Sequence, residues 1–305
     1  VHIHGVNPII KITGSSIAAN TIPVGGAGGA VRIDAPIVLI EKGGEITSDT
    51  FDDPDEIGFG GAAGAIELNV NDLVLRSGGR IDSSTMGTGQ AGQIHVNATS
   101  LLLDGKDGLV YLQNTGILSD TKLNATGNAG TIELNIKGNA DIQANAIIST
   151  ETTSHGNAGH VNLNVDGLLE VLSGAQISTS TKAKGNAGTM IVQAGAIRMD
   201  GSNSTRQTTY IVSNAYQGST GNAGAVNMSV EGLLEMLNGA QISSDTWGAG
   251  NAGTVTVQTE ILQLNNRAGV FSGANPSATG QVGDVTVRSN VITLTDNAQI
   301  SIAAF

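Results

Sequence analysis

The densest cluster of hard oxygen ligands in the chain is Asp52-Asp53-Pro54-Asp55-Glu56. Carboxylates packed this closely are the donor set that Ca²⁺ takes, so Asp52, Asp53, Asp55 and Glu56 form the one candidate metal site. The competing reading is a solvated loop whose charges discourage association. The Gly-Gly-x-Gly-x-Asp array of calcium-binding β-rolls is absent. Gly87-Thr88-Gly89-Gln90-Ala91-Gly92 and Gly248-Ala249-Gly250-Asn251-Ala252-Gly253 both satisfy G-x-G-x-x-G. A dinucleotide site needs a helix directly after that motif, with its N-terminus facing the phosphates. Here an alternating, strand-like segment follows each time, and related turns recur along the chain, so these are turns. The remaining conspicuous side chains are Tyr111, Arg206, Tyr210 and the only tryptophan, Trp247. The first three sit in the two longest insertions, at 106–116 and 202–210, and Trp247 in a variable turn. Loops grafted onto a rigid scaffold are where binding concentrates, so these four are the candidate contact residues.

Composition narrows the chemistry. The chain has 305 residues, 43 of them glycine, with 3% aromatic residues, no cysteine and a formal net charge of −12. Thiolate chemistry, disulfides and cysteine metal sites are therefore excluded. An acidic surface repels phosphate backbones, which argues against nucleic acid as a partner. Val, Ile, Leu and Ala supply most of the apolar content, which suits regular thin layers better than a core built on rings.

The elements that must position any site follow from a repeat. Gly-Asn-Ala-Gly closes at Gly130, Gly159, Gly188, Gly224 and Gly253, with degenerate copies at Gly29, Gly64, Gly92 and Gly283. The unit is about 29 residues, with insertions in some copies. Each unit carries three segments of period-two alternation, the strand signature. Val161-Asn162-Leu163-Asn164-Val165 is a first segment, Leu169-Glu170-Val171 a second and Ala175–Thr181 a third. Three strands per unit in register is the arithmetic of a three-faced parallel β-helix of about ten coils, spaced about 4.8 Å apart. The whole of 1–305 reads as one continuous array.

Stacking coils places like residues over one another. Ile46, Ile81, Ile117, Ile148, Ile177, Ile211 and Ile242 form an inward column, and Ser48, Ser83, Ser119, Thr150, Thr179, Ser213 and Ser244 a second one of buried hydroxyls. Those hydroxyls need hydrogen-bond partners along the column. Asn128, Asn157, Asn186, Asn222 and Asn251 stack as an amide ladder at a corner, where glycine is expected to supply positive φ. Outward, Arg32, Glu67, His95 and Glu133 align as an exposed charge ladder; two carboxylates and one histidine make a poor zinc site. β-Helices also host polysaccharide-cleaving enzymes, but these need clustered carboxylates across successive coils, and no Asp pair aligns at matching positions of adjacent coils. The reading is therefore not an enzyme.

The recurring Leu168–Gly188 pattern, Leu-Leu-Glu-Val-Leu-Ser-Gly-Ala-Gln-Ile-Ser-Thr-Ser-Thr followed by Gly-Asn-Ala-Gly, resembles the repeats of filamentous-haemagglutinin-like large exoproteins of cyanobacteria and other Gram-negative bacteria. The resemblance covers nearly the whole chain. It implies a right-handed β-helix shaft, a fragment of a longer chain, exported by two-partner secretion through an outer-membrane β-barrel transporter to the cell surface or beyond. It implies an adhesive or filament-forming role toward surfaces, glycans or cells. The rival readings are a polysaccharide-degrading β-helix and a fibre subunit that self-associates end to end. No cofactor is implied beyond the Ca²⁺ reading of the acidic loop.

Overall fold

The computed structural model describes all residues except 6–8, 22–25, 51–59, 112, 123–124, 204–206 and 304–305. Its strands form two sheets, of 13 and 10 strands, and each pairing joins a strand to its counterpart one repeat away, in parallel. The one helical element among the described residues is a single 3₁₀ turn, Gly108–Tyr111. This is a parallel β-helix. The ten-stranded sheet contributes one strand per coil, giving ten coils and a shaft about 45 Å tall at about 4.8 Å per rung.

The expected first and second segments fuse in most coils. Val161–Leu172, Met190–Asp200, Ala225–Leu237 and Thr254–Leu264 each run through both as one long strand. The strand bends rather than breaks, because the register shifts by one residue between Val165 and Leu168, where Asp166-Gly167 oppose the single Gly195. Such a bulge bends the strand and leaves the ladder intact on either side. The two segments stay separate in the coils holding Ile94–Ala98 with Ser100–Asp104 and Ile132–Ile136 with Ala140–Gln143.

The third segment is shorter than its alternation suggests. Gln176–Ser178 and Gln241–Ser243 are three-residue strands. Three positions further on, isolated parallel bridges link Thr50, Thr85, Thr121, Thr152 and Thr181 in an unbroken column. The side chains of that column are fully buried. Thr121 Oγ1 donates to Thr152 Oγ1 at 2.6 Å, while Thr181 and Thr246 donate to the carbonyls of Gly185 and Gly250 at 2.6 Å.

All seven isoleucines of the expected column are fully buried. Each contributes about 1.5–3 kcal/mol, and only because a neighbouring coil covers it. The hydroxyl column is fully buried as well. Its partners are not one another's side chains. Ser83, Ser119, Ser213 and Ser272 donate to the carbonyls of the closing glycines Gly64, Gly92, Gly188 and Gly253 at 2.6–2.7 Å. Thr150 Oγ1 is the exception, buried and without a partner.

The expected role of those closing glycines needs correction. None of Gly130, Gly159, Gly188, Gly224 or Gly253 has positive φ; glycines that do, such as Gly43, Gly78, Gly174 and Gly239, lie in the turn before the short strand. A closing glycine is required for closeness instead. A Cβ on Gly188 would be driven into the carbonyl oxygen of Gly159, and one on Gly253 into that of Gly224. The asparagine ladder forms, but through the backbone. The N–H groups of Asn157, Asn186, Asn222 and Asn251 donate to the side-chain oxygen of the asparagine one coil below, at 2.8–2.9 Å.

Candidate functional site

The two long insertions are held by the same device. Thr115 and Thr209, the residues that end them, are fully buried, and their hydroxyls accept the N–H of Gly78 and Gly174 at 2.8 Å. Two short turns, at Ala144-Asn145 and Ser173-Gly174, separate the insertions along the shaft. The result is a groove of about 710 Å³ walled by Lys106, Asp107, Val110 and Asn114 on one side and by Asn203 and Gln207 on the other. Asn145 lies on its floor, and Asn145 Oδ1 is buried with no hydrogen-bond partner. Val110 is the most exposed large apolar residue among those described, at 73%. A groove with amide walls, one lysine and one aspartate suits a polar ligand that brings its own donors.

Of the four expected contact residues, Tyr111, Tyr210 and Trp247 do not line this groove. Tyr111 leans the other way, over the turn glycines Gly43 and Gly78. Arg206 lies outside the described residues, as do Asp52, Asp53, Asp55 and Glu56. Tyr210 belongs to the short strand Tyr210–Val212, and its hydroxyl is 2.7 Å from Gln176 Oε1 one coil below. Trp247 stacks on Tyr216 with ring centroids 5.6 Å apart and an interplanar angle of 22°. Lys182 Nζ caps the other side of that stack, 5.5 Å from the Tyr216 centroid, and pairs with Glu151 at 2.5 Å. Burial pushes the Tyr210 and Tyr216 hydroxyls upward. Tyr216 was not singled out in the sequence, although the bridged column Thr181, Ala215 and Thr246 puts Lys182, Tyr216 and Trp247 in line. Tyr216 is therefore covered on both faces, and Trp247 on one.

The outward side of the short sheet carries a strip of carboxylates that sequence reasoning missed. Asp49, Asp82, Asp120 and Glu151 follow one another up the coils, with Arg80 and Lys122 between them. Asp120 and Glu151 occupy matching positions of adjacent coils, next to the Thr121–Thr152 bridge. The signal was present, because the hydroxyl column at Ser48, Ser83, Ser119 and Thr150 fixes which residues lie beside it. These carboxylates serve the backbone. Where the short strand ends, an N–H is left without a sheet partner, and in several rungs the side chain below accepts it. Asp49 accepts from Ser84 at 2.8 Å, Asp120 from Glu151 at 2.8 Å, Asn214 from Asp245 at 2.7 Å and Asp245 from Gly273 at 2.6 Å. Asp82 is paired with Arg80 and lies 3.9 Å from Lys122. Burial, helped by the charge of Asp82, pushes the Asp49 carboxyl up to about 8; burial also raises Asp120.

The charge ladder on the long sheet has its expected register, with Arg32, Glu67, His95 and Glu133 paired in order. Arg32 lies 3.3 Å from Glu67, and His95 Nδ1 3.3 Å from Glu133. Among the described residues no group of three or more His, Asp or Glu could hold a metal ion.

Comparison with family models, curated proteins and solved structures yielded no match. The functional reading therefore rests on this chain's own geometry. The groove between the two insertions is open to a ligand, whereas the carboxylate strip and the aromatic stack are bound into the shaft.

Proposed function

We propose that the chain is the structural and adhesive shaft of a secreted bacterial surface exoprotein of the filamentous-haemagglutinin-like kind, presenting the groove between its two insertions to a ligand outside the cell. The observation that carries this is the placement of the two longest insertions, at 106–116 and 202–210, at either side of one groove. A repeat array holds such loops at a fixed separation, which a globular host of this composition would not do as economically. Asn145 Oδ1 adds a buried acceptor whose missing partner a ligand donor would replace. The polysaccharide-cleaving alternative finds less support. The carboxylates aligned beside the short sheet are engaged by backbone N–H groups and by Arg80, Lys122 and Lys182, and on the long sheet Glu170, which faces Asp141 one coil away, pairs with Arg198.

The test replaces 105–115 with the three-residue turn found at 144–146, which the neighbouring coil already accommodates between its strands. Retention of the purified protein on bacterial and abiotic surfaces is then compared with that of the unaltered chain. Loss of retention with an unchanged melting temperature supports the reading. Equal retention of both proteins removes the insertions from the adhesive role. Export through an outer-membrane β-barrel is part of the same proposal. Its check is whether a secretion domain encoded upstream of these repeats delivers them to the medium.

A further inference from the structure

The bend in the long strands creates a trough on the outside of the shaft. One wall is a column of polar side chains, one per coil. Asn69, Asn97, Asn135, Asn164 and Gln193 succeed one another in strict register, and Gln258 continues the column two coils further on. Two open cavities lie along it. One of about 620 Å³ is lined by Asp34, Asn69, Asn97 and Asn135 near one end, and one of about 660 Å³ by Ser229, Gln258 and Arg288 near the other. Beside the amides, Ala35, Val70, Ala98 and Val230 border these cavities but belong to the buried core, at 4–8% exposure.

The geometry points to a binding site for an extended, neutral, β-linked glycan lying along the shaft axis in this trough. Three features carry the assignment. First, the amides recur at the coil pitch of about 4.8 Å. Repetition at one pitch rewards only a polymer that repeats at a similar one, and a sugar unit of an extended β-linked chain does. An extended peptide, rising about 3.3 Å per residue, falls out of phase within a few rungs. Second, the groups offered are the right ones. Asn97 donates to Asn69 at 2.9 Å and Asn135 to Asn97 at 3.2 Å, which orients the amides. Asn164, Gln193 and Gln258 are exposed and make no hydrogen bond to the protein. Each therefore presents both donors and an acceptor, the complement of a hydroxyl, which is donor and acceptor at once. Third, the net charge of −12 disfavours a polyanion, with Asp34, Glu231 and Glu260 outnumbering Lys137 and Arg288 among the charged residues that line the two cavities.

The site is separate from the insertions and does not depend on them. Its test uses the full chain with cello-oligosaccharides of two to six units by calorimetry, retention on amorphous cellulose and on xylan, and alginate as the polyanion control. The expected result is retention on at least one neutral β-glycan, and affinity that climbs about threefold or more per added sugar up to the hexamer. The triple substitution Asn164→Ala, Gln193→Ala, Gln258→Ala removes no internal hydrogen bond, so it leaves melting unchanged while weakening binding about tenfold. The protein with the trimmed insertion is expected to bind these glycans as the unaltered chain does, whatever becomes of its surface retention. The assignment is overturned if no neutral β-glycan is retained, if dimer and hexamer bind alike, if the triple variant binds undiminished, or if alginate alone is held.

Discussion

A methyl group at the right place is enough to test how tightly the coils stack. Gly188 admits no Cβ, because the Gly159 carbonyl occupies that space, whereas a Cβ on Gly218 meets nothing within 4 Å. Gly188→Ala is therefore expected to cost about 3 kcal/mol or more in urea denaturation. Gly218→Ala carries only the penalty of its positive φ of 86°, about 1–2 kcal/mol. Titration at single residues gives a second expectation. The Asp49 carboxyl is held at about 8 in the folded chain against an ordinary value of 3.8. The folded state thus binds the proton more tightly than the unfolded chain between those two values. Its contribution is fully present below about pH 4 and is lost as pH rises toward 8. Glu41 behaves in the opposite sense. Hydrogen bonds from Lys11 and Arg76 bring it down to about 2 from 4.5, so its contribution is present above about pH 4.5 and lost as pH falls through 2. Melting temperature followed from pH 5 to pH 8.5 should fall more steeply for the unaltered chain than for Asp49→Asn. Equal slopes would mean that Asp49 is ionised throughout.

The element at issue is the column rather than the strand. Three-residue strands are too short to be stable by themselves; what holds them is the row of identical neighbours above and below. The hydroxyl column makes this measurable, since its members differ in whether the buried hydroxyl has a partner. Ser119 Oγ donates to the Gly92 carbonyl at 2.6 Å, while Thr150 Oγ1 is buried with no partner. Ser119→Ala should therefore lower stability by about 1–2 kcal/mol, and Thr150→Val should leave it unchanged or raise it by up to about 1 kcal/mol. Chemical denaturation of the two variants checks both signs. The same logic explains why Asp, Asn and Ser alternate freely beside the short strand at Asp49, Ser84, Asp120, Ser180 and Asn214. Each position needs an acceptor for the N–H one coil above, and the identity of the acceptor is secondary.

At the scale of the whole molecule, stability accumulates by contact between neighbours and is lowest where a coil has a neighbour on one side only. The apolar residues of Asp284–Leu294 show this. Val285 and Val287 are only partly covered, while their counterparts Val255 and Val257 in the coil below are fully buried. Hydrogen exchange should therefore be slowest in the central strands Val161–Leu172 and Met190–Asp200 and quicken toward both ends. Uniform protection along the shaft would indicate all-or-none opening instead. Ile177→Asp, in the middle of the isoleucine column, should abolish the cooperative transition, since it buries an unpaired carboxylate between two coils.

The sequence by itself determined the fold class, the coil number and the inward columns. Those depend only on alternation and on the distance between closing glycines, both of which are local and survive insertions. It also placed the Arg32, Glu67, His95 and Glu133 row, because that row starts at a fixed offset from the glycine turn. Tertiary structure decided the rest of what the chain presents outward. The trough depends on how the first and second segments meet in each coil, with a one-residue register shift in some coils and none in others. The groove between the insertions depends on which way each loop folds over its neighbours. The separation of Tyr111 from Tyr210, and the pairing of Trp247 with Tyr216, follow from side-chain directions that no spacing records. Inward positions are fixed by one repeated constraint, the exclusion of water between coils, and so leave a periodic trace. Outward positions answer to several different neighbours at once, and their arrangement exists only when the coils are stacked.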